Sequence, residues 1–269
     1  MQKNNAAATL SALEYIVVFA AVVTAFFTVR GNHQIANTVF DVLVAIGILL
    51  IGAVCFRFRH IAKAFDFEKQ SRMKWVSYLL SAGLFADFVE QCIRLYQVGE
   101  NGAYVTAASY LPKVLIGVFA LGSGFYFSMV ALSFSERKYD FRNLKLFHLV
   151  TVLWAVARIL ELVFRSDIIG SSPHTALRYS VALFATGFFY SFSYEADREA
   201  CAKRYTLFFS KITAMTTFLY VWETLLLLLN GQIKINDSNT VFALTALTLC
   251  LFSLSFERNL VLRSNTETK

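Results

Sequence analysis

Residues 36–56 read ANTVFDVLVAIGILLIGAVCF, and the chain runs on directly into Arg57, Arg59, Lys63, Lys69, Arg72 and Lys74. A run of this length, with Asp41 as its one charge, can cross the roughly 30 Å hydrocarbon core of a bilayer as an α-helix. A helix satisfies its backbone polar groups internally, as a segment in lipid must. Lys and Arg collect on the cytoplasmic side of membranes, so the basic edge marks the cytoplasmic end. This stretch therefore predicts a membrane helix and its direction.

Seven further runs of the same kind flank it, at 10–30, 74–97, 106–133, 146–165, 175–194, 206–229 and 239–256. The expected fold is all-α: a polytopic eight-helix transmembrane bundle forming one integral membrane domain over 1–269. Composition agrees, with 57% hydrophobic and 16% charged residues, against about 45–50% and 25% in soluble domains. The first run is not read as a signal peptide, because it is long, carries Glu14 and shows no small-residue cleavage pattern.

Most Lys and Arg fall before run 1, between runs 2 and 3, 4 and 5, and 6 and 7, and after run 8. The opposite loops hold only Arg30, Arg165 and Lys234. Both termini are thus expected to be cytoplasmic, in a cytoplasmic membrane of bacterial type. The net charge of +7 follows from the same bias and suits anionic lipid headgroups. No basic domain exists to bind nucleic acid. Cys55, Cys92, Cys201 and Cys250 have no C-x-x-C spacing, so neither a disulfide framework nor a cysteine metal site is expected.

The chain also carries a repeating pattern. Ser133-Phe134-Ser135-Glu136, Ser191-Phe192-Ser193-Tyr194-Glu195 and Ser255-Phe256-Glu257-Arg258 end three even-numbered runs. Gly124-Phe125-Tyr126-Phe127-Ser128 and Gly187-Phe188-Phe189-Tyr190-Ser191 precede two of them. Glu90, Glu161 and Glu223 lie late in three odd-numbered runs. The pattern predicts four tandem helical hairpins sharing one orientation, the first divergent.

Charges inside the runs are the strongest functional signal, since each costs about 2.5–3.5 kcal/mol at mid-membrane on insertion scales. Asp87, Glu90, Gln91 and Arg94 share one helical face, as do Arg158, Glu161 and Arg165. Asp41, Lys113, Arg178 and Glu223 complete the set. Charges come late in the odd runs, which head outward, and early in the even runs, which return. All ten are therefore expected in the outer half of the membrane, five acidic and five basic. The inner halves carry Ser77, Ser81, Ser128, Thr151, Thr213 and Thr245, with Glu14, Lys211, His148 and Trp75 near the cytoplasmic boundary.

Such a cluster can be an ion-pair network that fixes helix packing. It can also be an outward-facing pocket for a small zwitterionic or anionic solute, with Arg donors for a carboxylate or phosphate. The candidate ligand-binding residues are Asp41, Asp87, Glu90, Arg94, Lys113, Arg158, Glu161, Arg178 and Glu223. Solute binding or transport is the leading expectation. A sensor or scaffold that contacts a membrane or cytoplasmic protein partner through basic loops is the alternative, and an intramembrane enzyme acting on lipid headgroups is third. No catalytic set is expected, since no nucleophile–base pair, HExxH or Gly-rich phosphate loop is present. His33 and His174 fall in loops and His60 in a basic segment, so no metal or other cofactor is called for.

Overall fold

A computed structural model describes residues 2–31, 34–57, 71–100, 107–134, 145–164, 173–196, 202–234 and 238–266, and the side chains over most of these segments. All regular structure among them is α-helical: α1 (Gln2–Gly31), α2 (Gln34–Arg57), α3 (Ser71–Glu100), α4 (Ala107–Ser133), α5 (Lys145–Phe164), α6 (Pro173–Ala196), α7 (Ala202–Leu229) and α8 (Ser238–Thr266). The six inner helices match the apolar runs within a few residues. α1 starts earlier because Gln2–Ala8 consists mostly of helix-forming and neutral residues, and α8 runs on past its apolar core to Thr266.

Seven of the helices are long and apolar enough to cross a membrane, which makes this a helical membrane protein. α6 is not among them. It has 24 residues, but Arg178, Thr175, Ser180, Thr186, Ser191 and Ser193 dilute its apolar content. Pro112 sits inside α4 within its first two turns, where proline costs less than in a helix interior.

The helices form a closed ring. α3 packs on α4, α4 on α5, α5 on α6, α6 on α7 and α7 on α8, and α8 returns to α3. The α1–α2 pair lies outside the ring, against α7, with a smaller contact from α2 to α6. Lipid provides no hydrophobic drive between helices, so small residues and hydroxyls hold them together. Ser81 Oγ donates to the Gly124 carbonyl (2.7 Å) across α3–α4. Thr213 Oγ1 donates to the Phe184 carbonyl (3.0 Å) across α7–α6, and Ser210 Oγ to the Ser253 carbonyl (2.8 Å) across α7–α8.

Ring closure depends on Gly83. Thr245 Oγ1 of α8 donates to the Gly83 carbonyl (3.0 Å). A Cβ on Gly83 would lie 2.5 Å from Thr248 Oγ1 and 3.3 Å from the Thr245 backbone. Gly83→Val should therefore lower stability by about 1–3 kcal/mol through overpacking, seen as an earlier thermal melt in detergent. An unchanged melt would mean that α3 and α8 are free to separate.

The inside of the ring is filled at one level by phenylalanines. Phe127 of α4, Phe188, Phe189 and Phe192 of α6, and Phe252 and Phe256 of α8 are almost fully buried. Phe127 lies 5.1 Å from Phe252 and 5.7 Å from Phe189, and Phe192 lies 5.2 Å from Phe256, ring centre to ring centre. These three helices are not neighbours around the ring, so the side chains meet at its middle. The Phe127–Phe252 and Phe192–Phe256 pairs meet edge to face, and such contacts add about 0.5–1.5 kcal/mol each beyond burial.

The repeated glycine–aromatic motifs do not place equivalent residues equivalently. Phe125 is exposed, while its counterpart Phe188 is buried. Gly124 faces Phe85 of the preceding helix, whereas Gly187 faces Phe209 of the following one. Each glycine accommodates a neighbouring ring, and the neighbour differs because α4 and α6 have different partners.

Candidate functional site

The end of the bundle where α3, α5 and α7 finish, and α4, α6 and α8 begin, holds a buried ionic network. α3 carries Asp87, Glu90, Gln91 and Arg94 at offsets that keep them on adjoining faces. α5 presents Trp154, Arg158 and Glu161 at spacings of four and three, which also align on one face. The ring geometry directs these two faces inward, on either side of α4.

Arg158 is the hub. Its Nη2 donates to Asp87 Oδ1 in a close ion pair, and its Nη1 donates to Glu161 Oε2 (2.8 Å). Trp154 Nε1 donates to the other Asp87 oxygen (2.8 Å). Arg178 of α6 shares Glu161 Oε2 through Nη2 (3.2 Å) and reaches Asn239 Oδ1 of α8 through Nη1 (3.0 Å). Both guanidiniums stand over the Phe242 ring, 4.8 Å and 5.3 Å from its centre, which adds a cation–π attraction in a desolvated place. α3 and α5, α5 and α8, and α6 and α8 are not ring neighbours, so the network spans the centre, as the phenylalanines do at the other level. Trp154 joins the two levels, since its ring also lies 6.2 Å from that of Phe189.

Charges of either sign balance here. Asp87, Glu90 and Glu161 stand with Arg94, Arg158 and Arg178, and Arg94 Nε donates to Glu90 Oε1 (2.7 Å). Isolated buried charges are costly, and pairing with further hydrogen bonds compensates them. Compensation is incomplete at four atoms. Glu90 Oε2, Arg158 Nε and both amide atoms of Gln91 are buried with no hydrogen-bond partner among the described residues. Gln91 is 1% exposed and Arg158 2%. Buried polar groups are nearly always satisfied, so this concentration on three neighbouring residues is unusual.

α4 covers the site from the side. Gly117 lies against Gln91, where an added Cβ would come 3.4 Å from the Gln91 Cβ. Lys113 is one turn nearer the start of α4, and it is half-buried. Because α3 and α4 are antiparallel, with Phe85 opposite Gly124, Lys113 sits close to the level of Arg94. Arg94 and Lys113 thus stand at the rim, Glu90 and Gln91 below them, and Asp87, Trp154 and Arg158 deepest.

Of the nine candidate residues, Asp41 lies away from this network, while Glu223 lies one turn along α7 from Tyr220, whose electrostatic neighbours include Arg178 and Arg158. Asp41 is exposed on α2, outside the ring, with buried Glu223 of α7 as its electrostatic neighbour. Arg165, His33, His60, the caps at Ser135 and Glu136, and the side chains of His174 and Glu195 lie outside the described residues. Sequence reasoning did not single out Trp154, Asn239 or Phe242. Trp154 was legible as a polar-tipped residue four positions before Arg158. Asn239 and Phe242 gave no such signal.

The opposite end carries a smaller group. Lys211 Nζ of α7 lies 3.2 Å from Glu14 of α1 and 3.4 Å from Glu257 of α8. Near the same end, the Tyr126 hydroxyl and His148 Nδ1 are 2.6 Å apart. Among the described residues, no group of three or more His, Cys, Asp or Glu side chains could hold a metal ion. Comparison with known protein families, curated proteins and solved structures finds no match for the chain.

Proposed function

We propose that this membrane protein binds a small charged solute in the ionic network at one end of its helix ring. One observation carries the reading: four buried, unpartnered polar atoms lie on Glu90, Gln91 and Arg158. A network serving packing alone gains nothing from leaving them unpaired, since each such group costs about 1–3 kcal/mol. A bound solute offsets that cost and uses Arg94 and Lys113 as a basic rim.

In this reading α6 crosses the membrane with its ring neighbours, giving eight spans. Both termini are cytoplasmic, and the solute arrives from the exterior of a cytoplasmic membrane. Passage through the ring would require the six central phenylalanines to part, whereas binding at one end does not. The function is therefore occupancy of a site that a membrane or cytoplasmic protein partner can sense, rather than translocation.

Thermal melts of the purified protein in lipid nanodiscs test this against pools of small charged solutes. At least one pool should raise the melting temperature, as binding to the folded state alone must. Gly117→Val presses on Gln91, whose Cβ would lie 3.4 Å from an added Cβ, and displaces it without removing a polar group, so it should abolish the shift. A set of pools with no effect, or a Gly117→Val protein that responds normally, would remove this site from consideration.

A further inference from the structure

The kinds of unpartnered atom in the network specify more than charge. Gln91 Nε2 and Arg158 Nε are donors, while Gln91 Oε1 and Glu90 Oε2 are acceptors. Two donors seek an anionic or carbonyl oxygen. Two acceptors seek a group with N–H or O–H bonds, and carboxylate Glu90 favours a cationic one.

We infer that the site takes a compact zwitterion with a primary ammonium group, of the neutral α-amino acid class. The inference rests on the solute-binding reading above and narrows it. The ammonium donates to Glu90 Oε2 and Gln91 Oε1. The carboxylate accepts from Arg158 Nε and Gln91 Nε2, so the Gln91 amide bridges the two poles of the ligand.

The arrangement along α3 supports this polarity. Arg158 is anchored on Asp87, one helical turn from Gln91, a step of about 6 Å along the axis. The Gln91 amide oxygen and nitrogen share one carbon, so the ammonium and carboxylate that meet them must themselves lie one or two carbons apart. The charge count supports it too. Among the ion-paired residues of the buried centre, Asp87, Glu90 and Glu161 balance Arg94, Arg158 and Arg178, with Lys113 outside that count at the half-buried rim. A neutral zwitterion keeps the buried centre neutral, whereas a simple anion or cation would add an uncompensated charge. A quaternary ammonium such as glycine betaine has no N–H bond, so it would leave both acceptors unpaired.

The test compares glycine, alanine, serine and leucine with glycine betaine, acetate and ethylammonium, each as a titration of the nanodisc-embedded protein. Binding is followed by melting temperature and by calorimetry. At least one amino acid should bind with at least tenfold higher affinity than any solute of the second group. Gln91→Leu and Glu90→Gln should each weaken that binding at least tenfold. Glu90→Gln reports on the ammonium pole alone and Gln91→Leu on both poles, so a folding defect in one leaves the other decisive. Tighter binding of betaine, acetate or ethylammonium would overturn the zwitterion inference and leave the solute-binding reading standing. If none of the seven solutes binds while a pool of other charged solutes does, the inference falls in the same way. If nothing binds, both fall, and ordered water is then the partner of these four atoms.

Discussion

Asp87→Leu should destabilise the folded protein by about 3–5 kcal/mol, because removing one partner of a buried ion pair leaves the other charge uncompensated. Asp87 takes both the Arg158 guanidinium and the Trp154 indole N–H. Its loss leaves the network one positive charge in excess and strands a second polar group. Asp87→Leu combined with Arg158→Leu removes both charges. Glu161 then keeps Arg178 as its partner, at 3.2 Å, and the remaining set is neutral again. The double variant should therefore recover at least half of the loss from the single one, a large coupling energy for two residues 71 positions apart. Reversible unfolding in mixed micelles, followed by Trp fluorescence, measures all corners of this cycle. Additive effects of the two substitutions would mean that the pair does not hold α3 to α5.

The spans were legible because lipid imposes a length and a composition that few soluble helices share. Residues 36–56 become α2 almost end to end, and the helical offsets of Asp87, Glu90, Gln91 and Arg94 placed them on one side of α3 before any packing was known. Neighbour identity was not legible. The α3–α8 closure joins Gly83 to Thr245, 162 residues apart, through residues too small and common to stand out in a run. The same gap in information explains Asp41. Its position along α2 matches the other charges in level, but α2 belongs to a pair that leans on the outside of α7, so level alone could not bring it to Arg158. Arg178 and the hydroxyls of α6 weaken its apolar signal, yet Arg178 is buried on Glu161 and Ser191 is buried on the Phe188 carbonyl, which hydropathy alone does not register.

Lys211→Met should be the most damaging single change at the other end of the bundle, and its contrast with Glu14→Gln is the informative comparison. Lys211 sits between two carboxylates, Glu14 and Glu257, on helices that bring α1 and α8 to the same point of α7. The three groups sum to one negative charge. Removing Lys211 leaves two like charges facing each other in a largely buried place, a net of two, at a cost of about 2–4 kcal/mol within the range for broken buried pairs. Removing Glu14 instead leaves Lys211 and Glu257 as a neutral pair, so Glu14→Gln should cost under about 1 kcal/mol. The α1–α2 pair stays attached in that variant through Trp222 Nε1, which donates to the Val22 carbonyl (3.2 Å), and Gln232 Nε2, which donates to the Val29 carbonyl (3.1 Å). In Lys211→Met, repulsion between Glu14 and Glu257 pushes α1 off the ring at its other end. Hydrogen exchange should then rise in the first half of α1 and the last turns of α2, with α3–α6 unchanged. Equal losses from Lys211→Met and Glu14→Gln would show that the charge count does not govern this contact, and that α1 is held by its apolar face alone.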